Sequence, residues 1–215
     1  MNPTEAPSRC RIVLIAPPAV EAGRLVAALD GGDVASLILP AWKMDDDAFQ
    51  RYAEQVVPAA QERGVAVVIG ESSRVAMRTG ADGLHVETNR RELEEIIAKH
   101  QARLMIGTGG ATNRDDALEL GEARPDYLFF GRFGYDNKPE PHPRNLKLGK
   151  WWAEMVQVPC IVAAGSEIES ALTVAATGVE FVALSEAIYS DGRDPAESVA
   201  TVNAALDAQA PRLED

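Results

Sequence analysis

Short apolar runs alternate with segments of helical period along nearly the whole chain. The first run, CRIVLIAPP from Cys10, is continuously apolar and ends in prolines, which predicts a strand buried on both faces. Val20 to Leu29 has helical spacing and stops at Gly31-Gly32, and VASLILP is the second strand. Asp45-Asp46-Asp47 forms the acidic first turn of a helix that carries Phe49, Tyr52, Val56 and Ala60 on one face and ends at Gly64. VAVVIGE is the third strand, Ser72 to Gly80 a short helix, and GADGLHVE the fourth strand, ending near Glu87. Arg90 to Gln101 is a charged helix, RLMIGTGGAT the fifth strand, Asn113 to Glu122 a helix and DYLFFGRF the sixth strand. GYDNKPEPHPRN reads as a long irregular loop, a class of segment that is often functional, and LGKWWAEMV as the sixth helix. Val158 to Tyr189 then reads strand, loop, helix, strand, and Asp194-Pro195 opens a last helix ending near Gln209.

This is eight strand and helix pairs of about 27 residues each. GGDVASLIL, GADGLHV, ARPDYLFF and TGVEFVAL repeat one junction, in which a helix end, an acidic residue and an apolar strand follow in the same order. The pattern predicts a single α/β domain over residues 10–209, folded as a closed (β/α)8 TIM barrel, with loose segments at 1–9 and 210–215. An open doubly wound sheet is the alternative, and its edge strands would be more polar than these.

Composition narrows the partners. The 215 residues carry a formal net charge of -12, which argues against nucleic acid and against anionic membrane surfaces and leaves a small molecule as the expected partner. Cys10 and Cys160 are far apart, each at the start of an apolar run, and read as core thiols rather than a disulfide or a metal site. The first residues show no basic stretch followed by an apolar one, and no run reaches membrane-spanning length, so the expected location is cytoplasmic. Whether the chain forms a homo-oligomer is open.

In a barrel of this type the chemistry belongs at the C-terminal ends of the strands. Those ends carry Pro17-Pro18, Trp42-Lys43, Gly70-Glu71, Glu87 to Asn89, Thr108 to Gly110, Arg132 with Lys138, Gly165-Ser166 and Ser185-Glu186. The loops after strands seven and eight, AAGSEI and LSEAI, are where such barrels often hold phosphate; Gly165 and Ser166 can equally be a helix cap. Lys43 and Lys138 can add point charges to a phosphate or diphosphate, and Glu71 with Glu87 can hold Mg²⁺. His85 sits inside a strand and reads as barrel-lining, His142 as exposed, and Trp151-Trp152 as packing. The chain has no CxxC, no Walker loop, no GxGxxG and no spaced Ser/His/Asp set.

Segment order from Arg11 to about Leu206 resembles the thiamine phosphate synthase family with its thiazole tautomerase relatives, most closely in ERGVAVVIGESSRVAMRTGADGLHVE and ARPDYLFFGRF. The resemblance implies a (β/α)8 barrel that joins a pyrimidine diphosphate to a thiazole phosphate and releases diphosphate with Mg²⁺. It implies Lys43 and Lys138 on the diphosphate, Glu71 on the metal with Glu87 or Asn89 as further ligands, and Thr108, Gly109, Gly165, Ser166 and Ser185 on substrate phosphate. Several family positions differ. LPAWK keeps one residue, Lys43, of the family's Gln-x-Arg-x-Lys, and Glu71 replaces the aspartate of an Asn-Asp pair. Glu87-Thr88-Asn89-Arg90 stands where the family has Gly-Gln-x-Asp, which puts Arg90 at an aspartate position. The tautomerase histidine falls among Thr108, Gly109 and Gly110, and the Gly-Gly phosphate turn is Gly165-Ser166. The expectation is a synthase with an eroded active site; the alternative is a non-catalytic paralogue that binds a thiamine-related ligand as regulator or carrier. A different phosphate-sugar enzyme, an aldolase or isomerase, would want a strand-end lysine inside the barrel, and none is evident.

Overall fold

A computed structural model describes residues 8–135 and 137–213. Strands β1 (Arg11–Ile15), β2 (Val34–Leu39), β3 (Ala66–Gly70), β4 (Gly83–Val86), β5 (Met105–Thr108), β6 (Tyr127–Phe130), β7 (Cys160–Ala163) and β8 (Phe181–Leu184) pair in chain order and close on themselves, all parallel. Around them lie α1 (Ala22–Ala28), α2 (Asp46–Gln61), α3 (Ser73–Thr79), α4 (Arg90–His100), α5 (Arg114–Glu122), α6 (Pro143–Met155), α7 (Ser170–Ala175), α8 (Glu186–Tyr189) and α9 (Pro195–Gln209). The expected barrel is what forms, without the edges of an open sheet. No helix among the described residues is long and apolar enough to cross a membrane.

Two elements differ from the sequence reading. The sixth helix starts at Pro143 instead of Leu148, because proline's fixed φ suits the first helical position and His142 Nδ1 accepts the Arg144 N–H at 3.2 Å. After β8 the chain makes the single helical turn α8 before the last helix, and its Ala187, Ile188 and Tyr189 are all buried. The segments 1–7 and 214–215, expected to be loose, lie outside the described residues. Within the adjoining stretches, Arg9 pairs with Arg212 in an antiparallel bridge, and Leu213 N–H donates to the Ser8 carbonyl at 2.9 Å.

The continuous apolar runs are explained by burial on both faces. Val13, Ile15, Ile38, Val68, Tyr127, Phe129, Ile161 and Ala183 fill the barrel, and alternate residues such as Leu37, Leu84, Leu128 and Phe130 face the helices. Trp152, fully buried, packs edge-on to Phe130 and donates its indole N–H to the Val158 carbonyl. Cys10 and Cys160 are buried free thiols, and burial pushes the Cys10 thiol up to about 12, so it stays protonated and inert. Gly107 is a space requirement: a β-carbon there would lie 1.9 Å from the Tyr127 ring, which crosses the barrel where that side chain would be.

The repeated acidic junction has a definite job on the N-terminal face. Asp82, just before β4, accepts the Val67 N–H of β3 at 2.7 Å; Asp126, before β6, accepts the Ile106 N–H of β5 at 2.6 Å. Glu180, before β8, accepts the Cys160 N–H of β7 at 3.0 Å, and Asp33, before β2, binds the Arg11 guanidinium of β1 through contacts of 2.6 to 3.2 Å. Each even strand thus clasps its odd predecessor with a charge-assisted bond. Gln61 and Gln101 reinforce two of the clasps, on Asp82 and Asp126 respectively.

Candidate functional site

At the opposite face the strands end in a mouth whose buried floor is aromatic and whose rim is charged. His85 on β4 points into the barrel. Its Nδ1 lies 3.0 Å from the Tyr127 hydroxyl, and its ring meets Phe129 edge-on at 5.8 Å and Phe133 at 5.0 Å between centroids. Burial lowers the His85 pKa to about 3, so the imidazole is neutral at physiological pH. Its Nε2 is buried and has no partner. A β-carbon built on Gly109 would sit 3.4 Å from that Nε2 and 3.5 Å from Glu87 Oε1, which places the orphaned nitrogen directly beneath the rim.

One residue beyond the end of β4, Glu87 belongs to that rim. Its main-chain N–H donates to Glu71 Oε1 at 3.1 Å, so the two glutamates from β3 and β4 converge. Burial raises the Glu87 pKa, Glu71's charge raises it further, and Arg132 after β6 lowers it. The backbone at Ala19, Trp42 and Glu71 is left-handed (φ 60°, 50° and 64°), a conformation that costs roughly 1 kcal/mol for a residue with a β-carbon. These follow β1, β2 and β3 on the mouth, while a fourth left-handed residue, Arg124 (φ 61°), precedes β6 on the opposite face.

Other expected participants are turned elsewhere. Asn89 caps α4, its side chain accepting the Glu92 N–H at 3.1 Å. Arg90 pairs with Glu94 and Glu122 on the helical surface. The Thr108 hydroxyl is buried and donates to the Val86 carbonyl at 2.8 Å. Among the described residues no group of three or more His, Cys, Asp or Glu side chains could enclose a metal. A magnesium ion commonly keeps one or two protein carboxylates and takes its remaining oxygens from substrate phosphate and water, and the Glu71–Glu87 pair fits that use.

Lys43 and Lys138 line separate cavities. Lys43 lies with Pro17, Val20, Trp42, Met44 and Tyr52 in a largely apolar groove of about 1060 Å³ between the β1 and β2 loops. Lys138 lies with Arg132, Tyr135, Asn137, Arg144 and Ala163 around a cavity of about 570 Å³ after β6 and β7. The loops that carry the lysines touch across the mouth: a β-carbon on Gly134 would come within 3.1 Å of the Trp42 ring, and Trp42 itself is tied to the end of β1 by its indole N–H on the Ala16 carbonyl at 3.0 Å.

The β6–α6 loop also covers the end of β7. Ser166 N–H donates to the Lys138 carbonyl at 2.7 Å, and Gly165 N–H to the Ser170 hydroxyl at 3.0 Å. A β-carbon on Gly165 would fall 2.2 Å from the Pro139 carbonyl oxygen, so only glycine allows this overlay. Ser185 is buried at the start of α8, where its carbonyl accepts the Ile188 and Tyr189 N–H groups. Phe129 and Phe133 are the participants missed in the sequence. The period-two spacing of Tyr127 and Phe129 in YLFF was the available signal for Phe129, since it sends both side chains to one side of the strand, whereas Phe133 lies in the turn beyond β6 and left no such pattern.

Comparison with known proteins identifies the relatives of the chain. The family model described as thiamine monophosphate synthase matches residues 13–188. A thiamine-phosphate synthase of Rhodospirillum centenum is 34% identical over 202 residues, covering 90% of this chain and 96% of that protein. The thiamine-phosphate synthase of Hyphomonas neptunium is 31% identical over 212 residues, 94% of this chain and 96% of its own. Among solved structures, the thiamine phosphate pyrophosphorylase from Pyrococcus furiosus superposes with a TM-score of 0.79 over 92% of this chain and 96% of its own at 18% identity, a likeness of fold.

Proposed function

Because the chain belongs to the thiamine monophosphate synthase family, we propose that it couples a pyrimidine diphosphate to a thiazole phosphate at the barrel mouth, with a reduced set of groups for the departing diphosphate. The observation that carries this reading is the convergence of Glu71 and Glu87 beside Arg132, above a buried, neutral His85.

Each residue has a role in the proposal. Glu71 and Glu87 would hold Mg²⁺, which neutralises diphosphate charge when bound. Lys138, from one rim, and Lys43, from the other, supply point charges to the diphosphate as its bond to the pyrimidine breaks. Arg132 adds a further positive charge beside Glu87. Gly109 borders the substrate, with Thr108 buried behind it, and Gly165, Ser166 and Ser185 form the phosphate end. The aromatic floor keeps water from the reacting centre. The loss of an arginine clamp and of one metal carboxylate relative to the family pattern removes terms worth about 3 kcal/mol each, so slow turnover is expected. The test is diphosphate release from the two substrates with Mg²⁺. Turnover that disappears with EDTA supports the proposal, and none from folded protein overturns it.

A second reading, a ligand-binding protein without turnover, is favoured by one observation: Arg90, at the place of the family's second metal aspartate, pairs with Glu94 and Glu122 on the helical surface and supplies nothing to the mouth. Calorimetry with thiazole phosphate, pyrimidine phosphate and thiamine phosphate separates the two. Micromolar binding without diphosphate release is the signature of the second.

A further inference from the structure

The β6–α6 loop makes contacts with both halves of the mouth at once. Phe133 lies on the His85 ring, and Gly134 lies against Trp42 from the far side of the barrel. A few residues on, the Lys138 carbonyl takes the Ser166 N–H, and the Pro139 carbonyl presses on Gly165. Phe133 is itself only partly buried, unlike His85 and Phe129 beneath it. It lies against the imidazole ring whose Nε2 is buried without a partner, an arrangement that costs free energy unless something else satisfies that nitrogen.

We infer that the loop around Phe133 and Lys138 is an intramolecular plug: the Phe133 ring takes the place of a ligand ring over His85, and the Lys138 carbonyl takes the place of a ligand acceptor on the Ser166 N–H. Ligand entry then requires the loop to lift, which exposes His85 Nε2 and the Ser166 N–H together. The inference rests on the ligand site lying at the barrel mouth, as proposed above, and is independent of the reaction carried out there. The coupling of the two contacts is what distinguishes a plug from ordinary packing, since two unrelated contacts would open separately.

The test uses the intact chain without any substrate. Diethyl pyrocarbonate modifies neutral imidazole, and the exposed His142 serves as internal reference. His85 in the native protein reacts at least tenfold more slowly than His142. Phe133→Ala raises the His85 rate at least fivefold, leaves that of His142 unchanged, and also speeds hydrogen exchange at the Ser166 amide by a similar factor. Gly165→Ala, which pushes on the loop from the other end, produces the same pair of changes, so the inference stays testable if one variant does not fold; circular dichroism establishes which variants do. A His85 that reacts as fast as His142 in the native protein overturns the plug. So does acceleration at one of the two groups without the other in a folded variant.

Discussion

The two faces of the barrel use their polar groups in opposite ways. On the N-terminal face Asp33, Asp82, Asp126 and Glu180 occupy equivalent positions, and each binds the start of the preceding strand. On the C-terminal face no position repeats its neighbour's chemistry: a glutamate pair, an orphaned imidazole, two separated lysines and three left-handed residues with β-carbons share the rim. Repetition of one acidic clasp before each even strand marks the side that holds the barrel closed. Irregular chemistry, with three of the four left-handed residues that carry a β-carbon, marks the side where the proposed ligand site lies.

Substitutions can break or sharpen this contrast. The largest effect is expected between the two faces, where Gly107→Ala would drive a methyl into the Tyr127 ring. With no void to absorb it, the barrel should lose about 3 kcal/mol or more, read as a collapse of the urea midpoint. Acidification comes next. His85 is neutral when folded, with its pKa near 3, whereas an unfolded histidine titrates near 6.5, so the stability it contributes is complete above about pH 6.5 and is lost as pH falls toward 3. A loss of about 2–3 kcal/mol between pH 6.5 and 4.5 is expected from this group, and His85→Gln should flatten that part of the profile.

On the clasped face, Asp126→Ala should cost about 1.5–3 kcal/mol by leaving the Ile106 N–H without its carboxylate, with no change in ligand affinity. On the rim of the mouth, above His85, the smallest stability changes are expected. Gly165→Ala meets the Pro139 carbonyl oxygen at 2.2 Å and displaces loop backbone and not the barrel, so a loss of about 1–2 kcal/mol is expected, below that at Gly107. Glu87 is raised above the usual glutamate range by burial and Glu71. Its protonated form therefore favours the folded state at low pH, and that contribution fades as pH rises through the elevated value. Glu71→Gln should shrink this dependence, and an NMR titration of Glu87 that is unmoved by the substitution would show that the two glutamates do not interact.

Much of the fold could be read directly from the residues, because strands buried on both faces appear as unbroken apolar runs and helices end at Gly31-Gly32, Gly64 and Gly80. The repeated acidic junctions were visible too, although their pairing with odd strands needed the register. The start of α6 was hidden because PHPRN reads as a loop until His142 and Pro143 are seen as cap and first residue. The candidate site was legible as a set of strand ends and no further. Asn89 and Arg90 serve α4 through local contacts at i,i+3 and i,i+4, whereas the placing of Lys43 and Lys138 in different cavities and the capture of the Ser166 amide by the loop after β6 depend on segments far apart in the chain. Such contacts leave no local pattern.

The most direct measurement is a calorimetric titration of inorganic diphosphate with Mg²⁺ into the native protein, Lys138→Ala and Asp126→Ala. If the irregular face is the ligand face, the native protein binds diphosphate, Lys138→Ala binds it at least tenfold more weakly, about 1.4 kcal/mol, with an unchanged melting temperature, and Asp126→Ala melts lower but binds as the native protein does. Equal affinity in the native protein and Lys138→Ala, or no binding to folded native protein, would contradict it.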